Sequence, residues 1–346
     1  MNEYINLINV EKKKLEIKFN YGIQLLRTIL SYLVLQYHCY DINHTKNKIL
    51  RKSIQSIGFY VPTFYIISYY FSYKIFKLKN INKIKLRLER FLIPYIIYTF
   101  LFYLINNLIS YNNLRFSIKD LFFQFISGIG IYTAFWFLCN LISTFIFFSI
   151  ISLIFKKNIL FIIQIIGLFG YLCNNYIFFN DFFASYKIQF RILFLNFTKV
   201  LFYGAIGISL ASIIDLDTLK RNKKKAMFFS LFIIYLIRDY DKIIKIFYYL
   251  REIVIGITSV SVFIFFLTIP LENINKKIKQ IIIIITKYSG GIYYLHIQLW
   301  RILRIKMIII KNKQLSGCWI LFTLCYIICF LGTKILGNTK FKYLFN

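Results

Sequence analysis

An arginine and a histidine stand eleven residues apart in an apolar stretch of this sequence. Arg27 and His38 belong to the segment LLRTILSYLVLQYHCYD, which covers residues 25–41. Eleven residues of α-helix turn through about 1,100°, so both side chains fall on one face, about 16 Å apart along the axis. An ionised side chain at the centre of a membrane helix costs about 2.5 to 3.5 kcal/mol on insertion scales, so such residues usually have a function. A long ligand with a phosphate end and a reactive end would match this layout.

The composition places these two residues in an integral membrane protein. Hydrophobic residues make up 59% of the 346 residues, and the mean hydropathy is +0.63, far above a soluble domain. We predict an all-α polytopic membrane protein with about ten transmembrane helices, in a single domain over residues 1–346. Residues 1–20 form a basic cytoplasmic lead-in, and neither a removable signal peptide nor a separate soluble domain is expected. The apolar runs centre near residues 31, 66, 100, 144, 166, 202, 231, 258, 290 and 325.

The net charge of +31 comes from short basic clusters between the apolar runs. Clusters such as 77–90 and 220–225 fall in alternate connections, as expected for the cytoplasmic loops of a membrane protein. Both termini are therefore predicted to be cytoplasmic, although the segment 46–52 is basic on the opposite side. Anionic lipid accounts for the clusters, so nucleic acid is not an expected partner. The three prolines are expected near span ends: Pro62, Pro94 and Pro270.

The six cysteines predict neither a metal site nor a disulfide framework. They lie mostly inside apolar runs, and no two of them form a CxxC pair. Cys325 and Cys329 share a helix face, and simple packing explains that spacing. No metal ligands are therefore assigned.

Six stretches, in sequence order, resemble the integral-membrane acyltransferase-3 family. Arg27, ten residues and His38 match its R-x10-H signature, while Arg87 and Arg90 in RLERFLIPY form its RxxR. Together the six stretches span almost the entire chain. The other four are VPTFYIISYYF at 61–71, FWFL at 135–138, FYGAIGISLA at 202–211 and KYSGGIYYLHIQL at 287–299.

The chain departs from the family pattern at three positions that pack closely. Thr28 and Tyr69 stand where the family usually has glycine, and Ile297 replaces a common proline. These changes add bulk but leave the polar residues intact. They put the shape of the substrate pocket in question rather than the reaction class.

The resemblance implies transfer of an acyl group, most often acetyl, from a coenzyme A thioester to a hydroxyl of a sugar or glycan. His38 would act as the general base, because its unperturbed pKa of about 6.5 lies close to working pH. Arg27 would bind the phosphate of the donor or stabilise negative charge on the thioester oxygen, and the sequence leaves both roles open. Asp41 would orient the imidazole, or it is simply the hydrated end of the span.

The same resemblance implies roles for four further residues. Arg87 and Arg90 would clamp the coenzyme phosphates at the cytoplasmic entry of the third span, although basic residues there are also ordinary topology signals. His296 would support the acceptor, unless it is a hydrogen-bonded core histidine. Trp136 would stack on a sugar or on the donor, although tryptophan is common at membrane interfaces.

The predicted protein is a membrane O-acetyltransferase of a bacterial cytoplasmic (inner) membrane. It would take acetyl-CoA, or another acyl-CoA, as the donor substrate, with no permanently bound cofactor. Its other partners would be a glycan or glycolipid acceptor and membrane lipid. Two alternatives remain: a transporter or flippase for polysaccharide intermediates, in which intramembrane charges line a path, and a non-catalytic homologue in an export complex.

Overall fold

The computed structural model of the chain is helical throughout the part that it describes, and that part contains no β-strand. The all-α prediction is therefore confirmed for these residues. The described ranges are 20–39, 56–109, 117–127, 136–155, 158–175, 188–214, 216–236, 250–271, 274–292, 295–296, 299 and 319–337. The helices are α1 (Tyr21–Cys39), α2 (Tyr60–Leu78), α3 (Ile81–Ile109), α4 (Ile118–Ser127), α5 (Trp136–Ile154), α6 (Ile159–Asn175), α7 (Ile188–Ile213), α8 (Leu216–Arg221), α9 (Lys223–Leu236), α10 (Arg251–Thr268), α11 (Lys276–Lys287) and α12 (Trp319–Gly337).

Several of these helices have the length and apolar character of membrane spans. Within the described ranges, three are long and apolar enough to cross a bilayer: Trp136–Ile154, Leu193–Ile213 and Arg251–Thr268. Shorter apolar helical stretches are Tyr21–Leu35, Ile159–Asn174 and Thr323–Ile335. All ten predicted span centres fall on helical residues, while the number of ten crossings stays a prediction.

Helix α7 lies in the middle of the best-packed part of the bundle, between α2 and α6. Glycines allow this close packing. A Cβ atom built on Gly207 would lie 2.5 Å from the carbonyl oxygen of Ile66 on α2. A Cβ on Gly170 of α6 would lie 2.4 Å from the carbonyl oxygen of Thr198 on α7. Small residues of this kind are what bring helix backbones together in membranes.

Helix α1 is held at its beginning by Asn20. The Oδ1 atom of Asn20 accepts a hydrogen bond from the amide of Ile23 (3.0 Å) and so caps the helix, while its Nδ2 donates to the carbonyl of Leu267 (3.2 Å). Thr28 lies 3.1 Å, Oγ1 to Oγ1, from Thr286 on α11. The threonine that replaces the family's usual glycine therefore joins α1 to α11.

Helix α3 is longer than a membrane span and contains Pro94 in its interior. Its 29 residues correspond to about 43 Å, against about 30 Å for the hydrocarbon core of a bilayer. Pro94 is predicted near the beginning of the span centred at residue 100, and the structure places it in the interior of a helix that begins well before that span. The helix begins at Ile81, in the basic segment, so Pro94 removes one backbone hydrogen bond from the middle of a long helix that tolerates the loss. Pro62, in contrast, lies in the first turn of α2.

Candidate functional site

Helix α1 carries both residues of the R-x10-H signature without a break. It runs from Tyr21 to Cys39, so the separation of about 16 Å along one helix applies to Arg27 and His38. The backbone of His38 belongs to the last turn of α1. Its side chain, and the whole of Asp41, lie outside the described residues, so their roles stay predictions.

Arg27 is brought close to Arg87, which belongs to a different helix. Arg27 Nη1 donates to Gln24 Oε1, at 3.3 Å on the same helix. Arg87 Nη2 donates to the carbonyl oxygen of Ser68 on α2, at 3.0 Å. The two guanidinium groups lie close enough for their charges to interact. Helices α1, α2 and α3 thus bring together two arginines that are 60 residues apart in the sequence.

The environment of Arg87 is enclosed. Its Nε atom is buried and has no hydrogen-bond partner within the described part of the chain. Its Cζ atom lies 5.5 Å from the centroid of the Phe91 ring, which allows a cation–π contact. The guanidinium group therefore retains an unused donor in a place with little water.

Neither arginine has a carboxylate partner among the described residues. The ion pairs found there join Lys85 to Glu89 (4.0 Å) and Lys199 to Glu252 (3.3 Å). Two like charges in a poorly hydrated region repel each other, and burial of an uncompensated charge is costly. An anionic ligand would relieve both costs, so the pair Arg27 and Arg87 is suited to bind an anion.

The second arginine of the RxxR motif is placed differently. Arg90 is exposed, whereas Arg87 is half-buried against α2, although the two charges remain within interacting range. Their spacing of three residues predicts a shared helix face, but the packing of α2 covers only Arg87. The structure therefore separates an enclosed arginine from one that is open to the surroundings.

The two candidate acceptor residues lie on other elements. His296 is buried, and its Nδ1 lies 3.2 Å from the carbonyl oxygen of Ile292 in the helical segment after α11. Trp136 is the first residue of α5 and is half-buried, and its carbonyl accepts a hydrogen bond from Asn140 Nδ2 (2.6 Å). Their predicted roles with the acceptor stay predictions.

Residues beside the arginines were not singled out from the sequence. Gln24 could have been noticed, because it precedes Arg27 by three residues on the same helix face. The carbonyl of Ser68 carries no such signal, since it is a backbone acceptor on another helix. Tyr69, where the family usually has glycine, is buried, and its hydroxyl donates to the carbonyl of Leu141 on α5 (3.1 Å). Its bulk therefore fills the contact between α2 and α5.

The described cysteines are buried free thiols. Cys325 and Cys329 on α12 are 0% and 2% exposed, in line with packing residues. Within the part of the chain that the structure describes, no three His, Cys, Asp or Glu side chains are placed to hold a metal ion.

The fold and this site define a polytopic α-helical membrane protein with a cationic site among its helices. The model of the acyltransferase-3 family, described as an acyltransferase domain, matches residues 20–336. The chain belongs to this family and is a membrane acyltransferase. No curated protein and no solved structure matches the chain.

Proposed function

We propose that the chain transfers an acetyl group from acetyl-CoA to a hydroxyl of a surface polysaccharide or a lipid-linked glycan. The reaction would take place in a bacterial cytoplasmic membrane, with both termini of the chain on the cytoplasmic side. The observation that carries this proposal is the pair Arg27 and Arg87, which lies on and beside the helix of His38 and has no described carboxylate partner. Membership of the acyltransferase-3 family supports the reaction class.

The pair of arginines favours the phosphate end of the donor over the thioester oxygen. A single oxyanion carries one charge, whereas the diphosphate of coenzyme A carries at least two and presents oxygens for several forked donors. The phosphates would bind Arg27 and the unused Nε of Arg87. Arg90, exposed on the same helix, would attract them first. The thioester would then lie about 16 Å further along α1, beside His38.

The transfer step needs one base and one proton path. The acceptor oxygen forms a bond to the thioester carbonyl carbon, and the bond from that carbon to sulfur breaks. His38 takes the hydroxyl proton and returns it to the departing thiolate, which leaves as the coenzyme A thiol. Asp41 would stabilise the imidazolium. His296 and Trp136 would border the acceptor.

Binding of two donor analogues tests the role of the arginines. We expect the purified protein in nanodiscs to bind acetyl-CoA far more tightly than S-acetylpantetheine, which lacks the phosphates. Arg27→Ala and Arg87→Ala should each reduce this preference about tenfold or more, because each removes a poorly hydrated charge contact. His38→Ala should keep the preference but lose transfer of the acetyl group. Titration of each variant with both ligands provides the measurement.

The control is Arg221→Ala, because Arg221 is an exposed arginine on the short helix α8. It should bind both analogues as the wild type does. If Arg27→Ala and Arg87→Ala bound acetyl-CoA with unchanged affinity, the phosphate site would be wrong. Movement of a glycan across the membrane without cleavage of the thioester would favour a transporter instead.

A further inference from the structure

A second group of polar residues lies between α7 and α10. Glu252, in the first turn of α10, is 6% exposed. Its Oε1 lies 3.3 Å from Nζ of Lys199, and its Oε2 accepts a hydrogen bond from the hydroxyl of Tyr203 (2.5 Å). Lys199 and Glu252 lie outside the stretches that resemble the family. This is the one buried carboxylate among the described residues, and the proposed transfer step does not use it.

The position of Glu252 can be compared with that of His38 along their helices. Gly22 at the beginning of α1 packs against the carbonyl of Phe266 near the end of α10. From this contact, Arg27 lies about 7.5 Å along α1 and His38 about 24 Å. Glu252 lies about 21 Å along α10 from the same contact. Measured along the helices from this contact, Glu252 is therefore nearly as far away as His38, the proposed base, and much farther away than Arg27.

Aromatic rings adjoin the ion pair. The rings of Tyr171 on α6 and Phe202 on α7 have centroids 5.4 Å apart, and those of Phe202 and Tyr203 are 5.1 Å apart. Tyr171 and Phe202 are half-buried, and Tyr171 is within electrostatic range of Glu252. Tyr203 is buried, so Tyr171 and Phe202 are the rings that present an apolar face beside the carboxylate and the ammonium group.

An amide on α6 bonds to α7 one residue before Lys199. Asn174 Nδ2 donates to Thr198 Oγ1, at 2.7 Å, and Thr198 directly precedes Lys199 in α7. The Oδ1 atom of Asn174 is enclosed and has no donor within the described ranges. One hydrogen-bond acceptor is therefore unused one turn beyond Tyr171.

The hydrogen-bonding capacity of the ion pair exceeds what the described residues use. A carboxylate has about four acceptor positions and an ammonium group has three donors. Within the described ranges, Glu252 receives two side-chain contacts and Lys199 makes one. The Lys199 side chain is 38% exposed, whereas Glu252 is buried, so it is the carboxylate whose desolvation cost is recovered only when hydrogen bonds satisfy its remaining positions. Hydroxyl groups can do so, because each one both donates and accepts.

We propose that Lys199, Glu252 and the half-buried rings of Tyr171 and Phe202 bind a sugar residue of the acceptor. This site rests on the proposed acetyl transfer and names where its acceptor is held. The carboxylate accepts hydrogen bonds from two sugar hydroxyls, Lys199 donates to a third oxygen, and the half-buried rings pack on the C–H face of the sugar. A purely apolar ligand would use none of the remaining hydrogen-bonding positions of the carboxylate and the ammonium group.

Direct sugar binding tests the site without any need for turnover. The probes are the methyl glycosides of glucose, N-acetylglucosamine and rhamnose, added to protein in nanodiscs and followed by saturation-transfer difference NMR, which detects weak binding. At least one glycoside should give a signal with the wild type and with Arg27→Ala. Glu252→Gln should lower that signal several-fold, although glutamine keeps the shape and a hydrogen bond to Tyr203. The control is Glu89→Gln, which removes the carboxylate of the exposed pair with Lys85 and should leave the signal unchanged.

A charge reversal separates binding from folding. The double variant Lys199→Glu with Glu252→Lys keeps the attraction between α7 and α10 but changes the groups that face the sugar. It should regain the thermal unfolding temperature of the wild type without regaining the glycoside signal. Full recovery of the signal would mean that the ion pair is only structural.

Three further outcomes distinguish failure of the sugar site from failure of the proposed acetyl transfer. If no glycoside gives a signal that depends on Glu252, the sugar site is wrong. If binding depends on Glu252 but acetyl-CoA is never cleaved, the sugar site stands and the proposed acetyl transfer fails. If acetyl transfer depends on Arg27 and His38 while Glu252→Gln binds and reacts normally, the transfer stands and the sugar site fails.

Discussion

The positive charge of Arg27 is not neutralised, because the side chain that binds it, Gln24, is uncharged. The amide oxygen of Gln24 accepts a hydrogen bond from Nη1 of Arg27 and fixes the side chain without neutralising it. The backbone carbonyl of Ser68 does the same for Arg87. Neutral acceptors orient the guanidinium groups while leaving both positive charges available to an anion.

Replacing Gln24 by glutamate would neutralise the positive charge of Arg27, so that less of it would be available to an anionic ligand. In Gln24→Glu the carboxylate would pair with Arg27 at nearly the same distance, and such a pair is worth about 4 kcal/mol at 4 Å with an effective dielectric constant of 20. We expect acetyl-CoA to bind at least about tenfold more weakly, with no loss of thermal stability. A titration with acetyl-CoA measures this.

The matched control is Gln164→Glu on α6, where the glutamine is exposed and lies 3.4 Å from Ser209. This variant should bind acetyl-CoA as the wild type does. Unchanged affinity in Gln24→Glu would contradict a phosphate site at Arg27.

At the scale of helices, the contact between α2 and α7 controls the position of the arginine site. Helix α2 holds Arg87 through Ser68, and α7 approaches α2 most closely at Gly207. Any side chain at position 207 must displace the backbone of Ile66, half a turn from Ser68. The packing of α7 therefore affects the geometry of the site formed by Arg27 and Arg87, although neither arginine belongs to α7.

Gly207→Ala should therefore affect both stability and activity. Its Cβ would lie 2.5 Å from the carbonyl oxygen of Ile66, so α2 and α7 must separate, at a cost of about 1 to 3 kcal/mol. We expect a lower thermal unfolding temperature and weaker binding of acetyl-CoA. Thermal unfolding followed by circular dichroism, together with a ligand titration, checks both effects.

Gly290→Ala provides the comparison, because no described atom lies within 4 Å of a Cβ at that position. It should leave the unfolding temperature unchanged or raise it slightly, since alanine favours a helix over glycine. Equal effects of the two substitutions would mean that the close contact at Gly207 is unimportant.

At the scale of the whole molecule, one of the basic clusters lies beside Arg87. The net charge of +31 includes Lys83, Lys85 and Arg90, which are exposed at the beginning of α3 and lie within four residues of Arg87 in the sequence. Such a field attracts phosphates over a distance set by the ionic strength. The basic residues would thus serve donor capture as well as membrane orientation.

Salt should therefore weaken the binding of acetyl-CoA more than the binding of S-acetylpantetheine, which carries no phosphate. Raising NaCl from about 0.1 M to 1 M shortens the Debye length from about 10 Å to 3 Å. We expect the KM for acetyl-CoA to rise several-fold, while the KM for S-acetylpantetheine stays nearly constant. Initial rates of acetyl transfer with both donors measure this, and parallel changes for the two would contradict electrostatic capture.

The sequence by itself determined the features that depend on local geometry. Apolar runs predicted helices at each of the ten centres, and the spacing of Arg27 and His38 placed both on one helix, because helical periodicity involves only near neighbours. Tertiary structure decided which partners meet. Arg87 rather than Arg90 is enclosed beside Arg27, and Glu252 pairs with Lys199, 53 residues away. These contacts depend on which face of one helix packs on another, and that choice is made by side-chain shapes far apart in the chain.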